Sequence, residues 1–338
     1  AARGLAFYYL ASFYAENPTS GRNQEYGIAI HTGEYNPNAY YARKTVAETY
    51  EQIISDLENG ISTYNETTEN KGYLTANAAR IALAKTYLTR GTEGDYQKAI
   101  SLADTVLANA SSNLLTKEQL KSYFAGTTSA ETKNQPETVF EMNMSLNANP
   151  GVNESISSYF DPEGSKNYLM FRQDFVQTLA ATDVRKELFT QENASSNDEP
   201  MGHFLLKFRQ KIDGNNFTGN VRIIRLTEVK FIKWEAMAKS GQGAAALAEL
   251  NAFSAERGGK SYTGDALTAI LAEKRIEFIG EGLRFFDLKR NNLPIVKTTN
   301  VRGGVYNVPT DSKLFVFPIP SSSLNLNKLI TQYPGWGN

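Results

Sequence analysis

Apolar residues recur at helical spacing after residue 45 and predict an amphipathic helix. The residues on its apolar face are Val46, Tyr50, Ile53, Ile54, Leu57 and Ile61. Thr45 and Glu48 stand three positions apart at the start of this run, which is the pattern of a capping box. Upstream, an apolar and aromatic run starts at Ala1 with no capping residue ahead of it. We interpret that run as a helix entered part-way along, and we expect a leader to precede residue 1.

Two further helices are predicted to form a hairpin. The first runs from near Thr75 to Arg90 and ends at Gly91, and its alanines allow a neighbouring helix to approach closely. Asp95 is predicted to cap the second helix. The apolar residues on one face of that helix are Tyr96, Ala99, Ile100, Ala103, Val106 and Leu107. Hairpins of this kind resemble degenerate tetratricopeptide repeats.

A second helical block is predicted toward the end of the chain. Helices are expected from about Arg222 to Lys239, from Gly243 to Arg257, and onward from Asp265. The last of these carries apolar residues on two faces, which is typical of an interior helix in a stacked array. The pattern therefore predicts a mainly α fold built from helical repeats.

The residues between the two blocks have a different pattern, with more Asn, Ser, Gly and Pro. A half-buried strand is predicted there by alternating apolar residues, namely Phe140, Met142, Met144 and Leu146. Phe204, Leu206 and Phe208 repeat the alternation weakly. Residues 147–168 are polar with interspersed aromatics, and loops of this kind on a rigid scaffold often carry binding function. We therefore expect a loop-rich region with a few short strands.

Composition excludes several kinds of function. Lys and Arg total 35 against 36 Asp and Glu, so the chain lacks the basic excess that favours nucleic-acid binding. There is no cysteine, and only His31 and His203 could supply imidazole, so we expect no metal site and no cofactor. We interpret both histidines as ordinary surface or loop residues. No apolar run reaches the roughly 18 to 20 residues that a membrane-spanning helix needs.

Two motifs resemble those of the SusD/RagB family of outer-membrane nutrient-binding lipoproteins. The segment from Glu273 to Arg290, EKRIEFIGEGLRFFDLKR, is similar to the family's R-x-x-E-F, E-G-x-R, D-L-x-R series. The segment from Val316 to Trp336 resembles its PIP motif and terminal Q-N-P-G-Y, with Tyr333 in place of Asn and Trp336 in place of Tyr. A third motif lies upstream, where Arg225, Glu228 and Glu235 resemble the family's R-x-x-E helix and are followed by Gly241 and by AxxxLN from Ala246 to Asn251. Further similarities from Ala1 to Tyr14 and at Thr182–Arg185 extend the resemblance over the whole chain.

The resemblance implies a single SusD-like domain over residues 1–338. Its helical repeat blocks are expected at about 1–109 and 222–290, its ligand region at about 110–221, and a C-terminal tail at 291–338. It also implies a non-catalytic protein that is lipid-anchored at the cell surface and binds a nutrient oligosaccharide. Its implied partner is a SusC-like TonB-dependent transporter. A peptide-binding role like that of RagB is an alternative.

The family signature is interpreted as structural. Its members in this chain are Glu277, Glu281, Arg284, Asp287, Arg290, Pro318 and Pro320. Charges of alternating sign at a spacing of three predict an ion-pair ladder along one helix. Gly280 and Gly282 are predicted to lie inside that helix. Glycine destabilises a helix interior relative to alanine, so its presence there indicates that a packed neighbour approaches closely.

Ligand contacts are expected in two aromatic, amide-rich loops. The candidates in the first loop are Tyr159, Phe160, Asp161, Asn167, Tyr168, Asn149 and Asn153. Those in the second are Tyr40 and Tyr41, which could equally staple the following helix. Trp234 and Trp336 are instead expected to pack in the core or against a lid. Two other classes of function stay open at this point: a tetratricopeptide-type scaffold for a protein partner, and a glycosidase, whose paired carboxylates sequence alone does not reveal.

Overall fold

Long helices follow one another through the first third of the chain. The computed structural model describes residues 1–34, 36–65, 68–110, 113–164, 166, 169–191, 202–298 and 304–337. The first helices are α1 (Ala2–Tyr14), α2 (Val46–Thr63), α3 (Ala76–Arg90) and α4 (Asp95–Ala110). Each packs against the next. The predicted helical hairpin of α3 and α4 is therefore confirmed.

Local signals in the sequence fix the ends of these helices. Thr45 and Glu48 form the predicted capping box, with the Thr45 hydroxyl accepting from the Glu48 amide at 3.1 Å. Gly91 ends α3 in the left-handed region at φ 62°. One detail is wrong: Asp95 is the first residue of α4 and not its cap. Its carboxylate turns back to accept from the Thr92 amide at 3.0 Å.

The second helical block continues the first. Its helices are α10 (Leu226–Lys239), α11 (Gly243–Glu256), α12 (Ala266–Glu277) and α13 (Arg284–Arg290). Helix α10 packs against α3 and α4 as well as α11 and α12, so one helical array runs through both blocks. Trp234 of α10 is 1% exposed, as expected for a core residue, and its Nε1 donates to Glu249 at 2.7 Å.

The middle of the chain contains only short elements. Its helices are α5 (Leu120–Ala125), α6 (Ser129–Thr132), α7 (Gly151–Glu154), α8 (Ser157–Phe160) and α9 (Gln173–Gln177). Its antiparallel strand pairs are β1 (Thr138–Met142) with β6 (Val221–Arg225), β2 (Phe171–Arg172) with β3 (Gly202–His203), and β4 (Lys211–Ile212) with β5 (Asn215–Asn216). The tail has β7 (Ile295–Lys297) paired with β8 (Tyr306–Val308), then α14 (Ser321–Leu326). The predicted mainly α fold with a loop-rich region is confirmed.

For the strand predicted at residues 140–146, two side chains expected to be buried are exposed and one expected to be exposed is buried. Met142 is 52% exposed and Leu146 is 66% exposed, whereas Glu141 is fully buried. The Glu141 carboxylate can be buried because it accepts from the Asn134 amide at 2.9 Å and from Asn220 Nδ2 at 2.8 Å. The pairing with β6 is also irregular beside Glu141, which disturbs the alternation.

Two other boundaries differ from the prediction. Residues 222–225 belong to strand β6 and not to the helix that follows. Phe204 and Leu205 are both buried while Leu206 is half-buried, so the weak alternation expected there is absent. The chain at this point pairs only through β3 and an isolated bridge at Leu205. Short pairings leave too few residues for a period of two to appear.

The predicted long helix after Asp265 is two helices. Helix α12 ends at Glu277, and α13 begins at Arg284 after a tight turn. Gly280 and Gly282 both have positive φ, 79° and 78°, so they break the helix and do not lie inside it. None of the helices in the described residues has the length and apolar character needed to cross a membrane.

Candidate functional site

Tyr159 lies in the first candidate loop with its ring half-buried. It belongs to the one-turn helix α8, and its hydroxyl donates to the main-chain oxygen of Asn153 at 2.9 Å. Lys166 Nζ donates to the same hydroxyl at 3.0 Å. The loop is therefore closed on itself by hydrogen bonds, which hold the ring of Tyr159 in a defined position.

The two residues after Tyr159 point inward. The Phe160 ring packs 5.2 Å from that of Phe208, within a small second core of the middle region. Asp161 is 1% exposed and accepts from the Gln210 amide at 2.6 Å. Both side chains have structural contacts, so the structure separates them from Tyr159 although the sequence had grouped the three.

The asparagine side chains of the same loop also differ in whether they are hydrogen-bonded within the loop. Asn149 is used internally, since it accepts from the Gly151 amide at 3.0 Å and donates to Ser145 O at 2.8 Å. Asn153 is exposed, and within the described part of the chain its side-chain amide makes no hydrogen bond. Asn167 and Tyr168 lie outside the described residues.

Tyr40 and Tyr41 are exposed in the loop before α2. Tyr40 is 49% exposed and Tyr41 is 37% exposed, and the ring of Tyr41 lies 4.7 Å from that of His31. Asn327 Nδ2 donates to Tyr41 O at 2.9 Å and ties this loop to the tail. The arrangement leaves two aromatic faces open to solvent beside polar groups.

The signature residues form buried ion pairs, but not a ladder along one helix. Glu277 contacts Arg225 at 3.0 Å and Arg185 at 3.2 Å. Glu281 contacts Lys207 at 2.6 Å and Arg225 at 2.9 Å. The partners come from the middle region and from β6, because the break at residues 278–283 turns these carboxylates away from their own helix. The network therefore fastens the middle region to the helical array.

A second cluster holds α13 against α10 and α12. Arg290 forms a bidentate pair with Glu235, at 2.7 and 2.9 Å. Asp287 contacts Lys274 at 2.7 Å and Arg290 at 2.6 Å, and the latter is the one contact of the predicted spacing. Among the described residues, the hydrogen bond that Arg284 makes is to Leu271 O, at 3.4 Å.

The tail motif also has a structural place. Pro318 and Pro320 are exposed, and Ile319 between them exchanges two hydrogen bonds with the side-chain amide of Gln332, both at 3.0 Å. Trp336 Nε1 donates to Val316 O at 2.8 Å. The two prolines thus lie in a loop that the end of the tail closes.

A family model described as the SusD family matches residues 63–336. This chain belongs to the SusD family. A second model, described as starch-binding associating with outer membrane, matches residues 1–88. No curated protein matches the chain.

Solved SusD structures share the fold. One SusD superfamily protein, from Bacteroides vulgatus, is 26% identical with a TM-score of 0.86, over 99% of this chain and 76% of that chain. Another, from Bacteroides thetaiotaomicron, is 27% identical with a TM-score of 0.83, over 98% and 76%. Surface glycan-binding protein A from Bacteroides thetaiotaomicron is 19% identical with a TM-score of 0.71, over 98% and 75%, and shows likeness of fold alone.

Electrostatics support a structural role for the signature of this SusD protein. Burial alone would raise the pKa of Glu277, but Arg225, Arg257 and Arg185 outweigh it and lower the pKa to about 2. Glu137 shows the opposite balance, since burial raises its pKa despite the nearby Arg225. Glu277 is therefore a permanent anion in the fold, with no proton to exchange near neutral pH.

The histidines of this SusD protein have ordinary partners. His31 Nε2 lies 2.8 Å from Glu34 O in an exposed loop. His203, expected at the surface or in a loop, is instead buried in β3, where Nδ1 lies 2.7 Å from Thr190 O and Nε2 contacts Gln173. Over the described ranges, no three His, Asp or Glu side chains are grouped so as to hold a metal ion.

Sequence reasoning missed the partners of the signature. Arg185, Lys207 and Arg225 supply its positive charges, yet they lie 50 or more positions away along the chain. Lys207 gave no signal, whereas Arg225 stood in a stretch that resembles the family and Arg185 in the short Asp183–Arg185 pair. Its role is now visible, because Asp183 holds the Arg185 guanidinium at 2.7 Å while that group reaches Glu273 and Glu277.

Proposed function

We propose that this protein captures oligosaccharides at the outer-membrane surface without chemically changing them. The observation that carries the proposal is membership of the SusD family over residues 63–336. The name of the second matching model, and the glycan-binding name of a relative with the same fold, support it. The partner would be a SusC-like TonB-dependent transporter, and the attachment to the membrane would be through a lipid.

Capture would use tyrosine rings with nearby amides. These are the half-buried ring of Tyr159, whose centre lies 4.9 Å from Lys166 Nζ, and the exposed rings of Tyr40 and Tyr41. The C–H face of a sugar ring packs on an aromatic plane through dispersion and apolar contact, while its hydroxyls need hydrogen-bond partners. Tyr159 beside the exposed amide of Asn153 supplies both, and its loop is already ordered by the contacts to Asn153 O and Lys166. Tyr40 and Tyr41 offer a second surface of the same chemistry.

Isothermal titration against neutral and acidic oligosaccharides tests this proposal. We expect binding by the unmodified protein and a loss of about tenfold or more in affinity for Tyr159→Ala. Tyr159→Phe should lose less affinity, because it keeps the ring and removes only the hydroxyl that holds the ring in position. Tyr306→Ala is the matched control, since Tyr306 is 46% exposed in the tail hairpin. The absence of new reducing ends after incubation is expected of a binding protein.

Each alternative function predicts a different experimental result. Release of reducing ends would show a glycosidase and contradict capture without chemistry. Binding of peptides and of no glycan would favour the RagB-like role. Isolation of the protein from outer membranes together with a TonB-dependent transporter is expected, whereas its isolation from another compartment would contradict the proposed location.

A further inference from the structure

A pocket lies beside the first candidate loop and is lined by cations. It is a shallow cleft with a cavity volume of about 20 Å³, or about 360 Å³ when all the empty space up to its open mouth is counted. Ser155 and Ser157 form one wall, with their hydroxyl oxygens 2.8 Å apart. Lys207, Arg209 and Arg222 contribute the charged groups, and no acidic residue is among the described residues that line it. Ser157 begins α8, the helix that carries Tyr159.

Arg222 is the cation that its surroundings leave unneutralised. Its guanidinium lies 4.2 Å from the centre of the Tyr123 ring and donates to three main-chain oxygens, those of Tyr123, Thr132 and Lys207. Its buried Nε has no hydrogen-bond partner among the described residues. No carboxylate in the described part of the chain forms an ion pair with it. Even Glu141, which faces it across the β1–β6 pair, does not.

The other two cations are already paired. Lys207 contacts Glu281 at 2.6 Å, and Arg209 lies 3.4 Å from both Asp161 and Glu163. The excess positive charge of the pocket therefore resides on Arg222. A half-buried guanidinium with no carboxylate partner is a favourable site for an anion, because charge-assisted hydrogen bonds exceed neutral ones in strength.

We infer that this pocket receives the carboxylate or sulfate group of an acidic oligosaccharide, with Arg222 as its cationic partner. The inference rests on the proposed function and narrows its substrate class. The two serine hydroxyls are hydrogen-bonded to each other, so one of them remains able to donate to the same anion. A sugar ring carried by that anion would lie on the side of α8, so its charged group and its ring would contact the same short segment of chain.

Matched acidic and neutral ligands test the inference on the unmodified protein. One pair is trigalacturonate and its carboxyl-reduced form, and the other is a sulfated galactan oligosaccharide and its desulfated form. The two pairs distinguish a carboxylate from a sulfate. Titration calorimetry is expected to show roughly tenfold or greater preference for the acidic member of at least one pair, and the preference should shrink as salt is raised.

Variants assign the preference to the pocket. Arg222→Gln should abolish the preference for the acidic ligand. Arg222→Lys keeps the positive charge but loses the planar guanidinium with its several N–H donors, so it should retain part of the preference. Arg22→Gln is the control, since Arg22 also donates to a main-chain oxygen, Thr310 O at 2.8 Å, but lies outside the pocket. Circular dichroism on melting shows whether each variant is folded, and the comparison of ligands on the unmodified protein needs no variant.

The outcomes separate this inference from the proposed function. If neutral and acidic members bind equally, or if Arg222→Gln keeps the preference, the acidic-ligand inference is wrong and oligosaccharide capture stands. If the protein binds no oligosaccharide of either kind, the proposed function fails and the inference with it. Acidic peptides binding in place of acidic glycans would likewise overturn both.

Discussion

Three arginines surround the carboxylate of Glu277. Arg225, Arg185 and Arg257 lie 3.0, 3.2 and 3.9 Å from it, and all four side chains are at most 3% exposed. Taking such charges out of water is costly, and mutual attraction compensates only while every partner is present. Removing this anion would leave the three buried arginines one carboxylate short, although Arg225 keeps Glu281 and Arg185 keeps Asp183 and Glu273.

Glu277→Gln is therefore expected to lower the free energy of unfolding by about 3 to 5 kcal/mol. Urea denaturation measures this change. The matched control is Glu187→Gln, because Glu187 forms an exposed pair with Lys121 at 3.2 Å. A pair of that kind contributes at most about 1 kcal/mol. Equal losses from the two variants would show that the buried network does not stabilise the fold.

The same carboxylate predicts how stability depends on pH. The pKa of Glu277 is about 2 in the fold, against an ordinary value of 4.5. Its contribution is therefore fully present above about pH 4.5 and is lost as the pH falls toward 2. We expect the unmodified protein to lose more stability than Glu277→Gln between about pH 5 and pH 3 in urea titrations. Parallel pH profiles would contradict this.

Contacts between side chains close together in the sequence could be predicted, whereas contacts with partners far along the chain could not. Thr45 and Glu48 form their capping box from a spacing that the sequence displays. The signature carboxylates were recognised too, but their partners depend on how the chain folds back. Candidate ligand residues show the same limit: burial of Asp161 follows from its contact with Gln210, which no local pattern reveals.

At the scale of elements, the turn between α12 and α13 decides the geometry of the signature. A Cβ on Gly280 would lie 2.5 Å from Leu205 Cδ2, whereas a Cβ on Gly282 would meet no atom within 4 Å. Both glycines have positive φ, which costs a residue with a Cβ about 1 to 2 kcal/mol. Close packing at Gly280, expected from the sequence, is thus confirmed, and a different reason applies at Gly282.

Gly280→Ala is expected to destabilise the protein more than Gly282→Ala. Both variants are destabilised by the positive φ. Only Gly280→Ala must also displace Leu205 from the small core of the middle region, which adds about 1 to 3 kcal/mol to its loss of stability. Thermal melting of the two variants side by side measures the difference. If Gly282→Ala proves equally damaging, backbone strain alone explains both positions.

Helices were predicted better than strands because their signals repeat over many residues. In α2 the apolar face, the capping residues and the length of the pattern all indicate the same helix. Strand β1 spans five residues and buries Glu141 where the alternation placed an exposed side chain. Strand β6 was taken as the start of α10, because its apolar residues lead directly into those of that helix. Pairing with β1, a contact across 80 residues, separates the two.

At the scale of the whole molecule, two kinds of contact join the middle region to the helical array. One is the ion-pair network of Arg185, Lys207 and Arg225 with α12 and the turn after it. The other is the small core in which Leu188 and Leu205 pack with Ile276 of α12. The sequence predicted both parts of the fold but not this joint, since each of its contacts links residues far apart in the chain.

We propose from this joint that the chain unfolds as one unit. Lys207 tests the proposal, because its buried Nζ donates to Glu277 O and to Glu281, both at 2.6 Å. Lys207→Met keeps an unbranched apolar chain one atom shorter than that of lysine and removes both bonds, which should lower the free energy of unfolding by roughly 1.5 to 3 kcal/mol. Hydrogen exchange is then expected to rise by the same factor in α3, in β1 and in β6, because all three open together. Faster exchange confined to residues 113–164 and 202–225 would instead show that the middle region opens alone while the helical array stays folded.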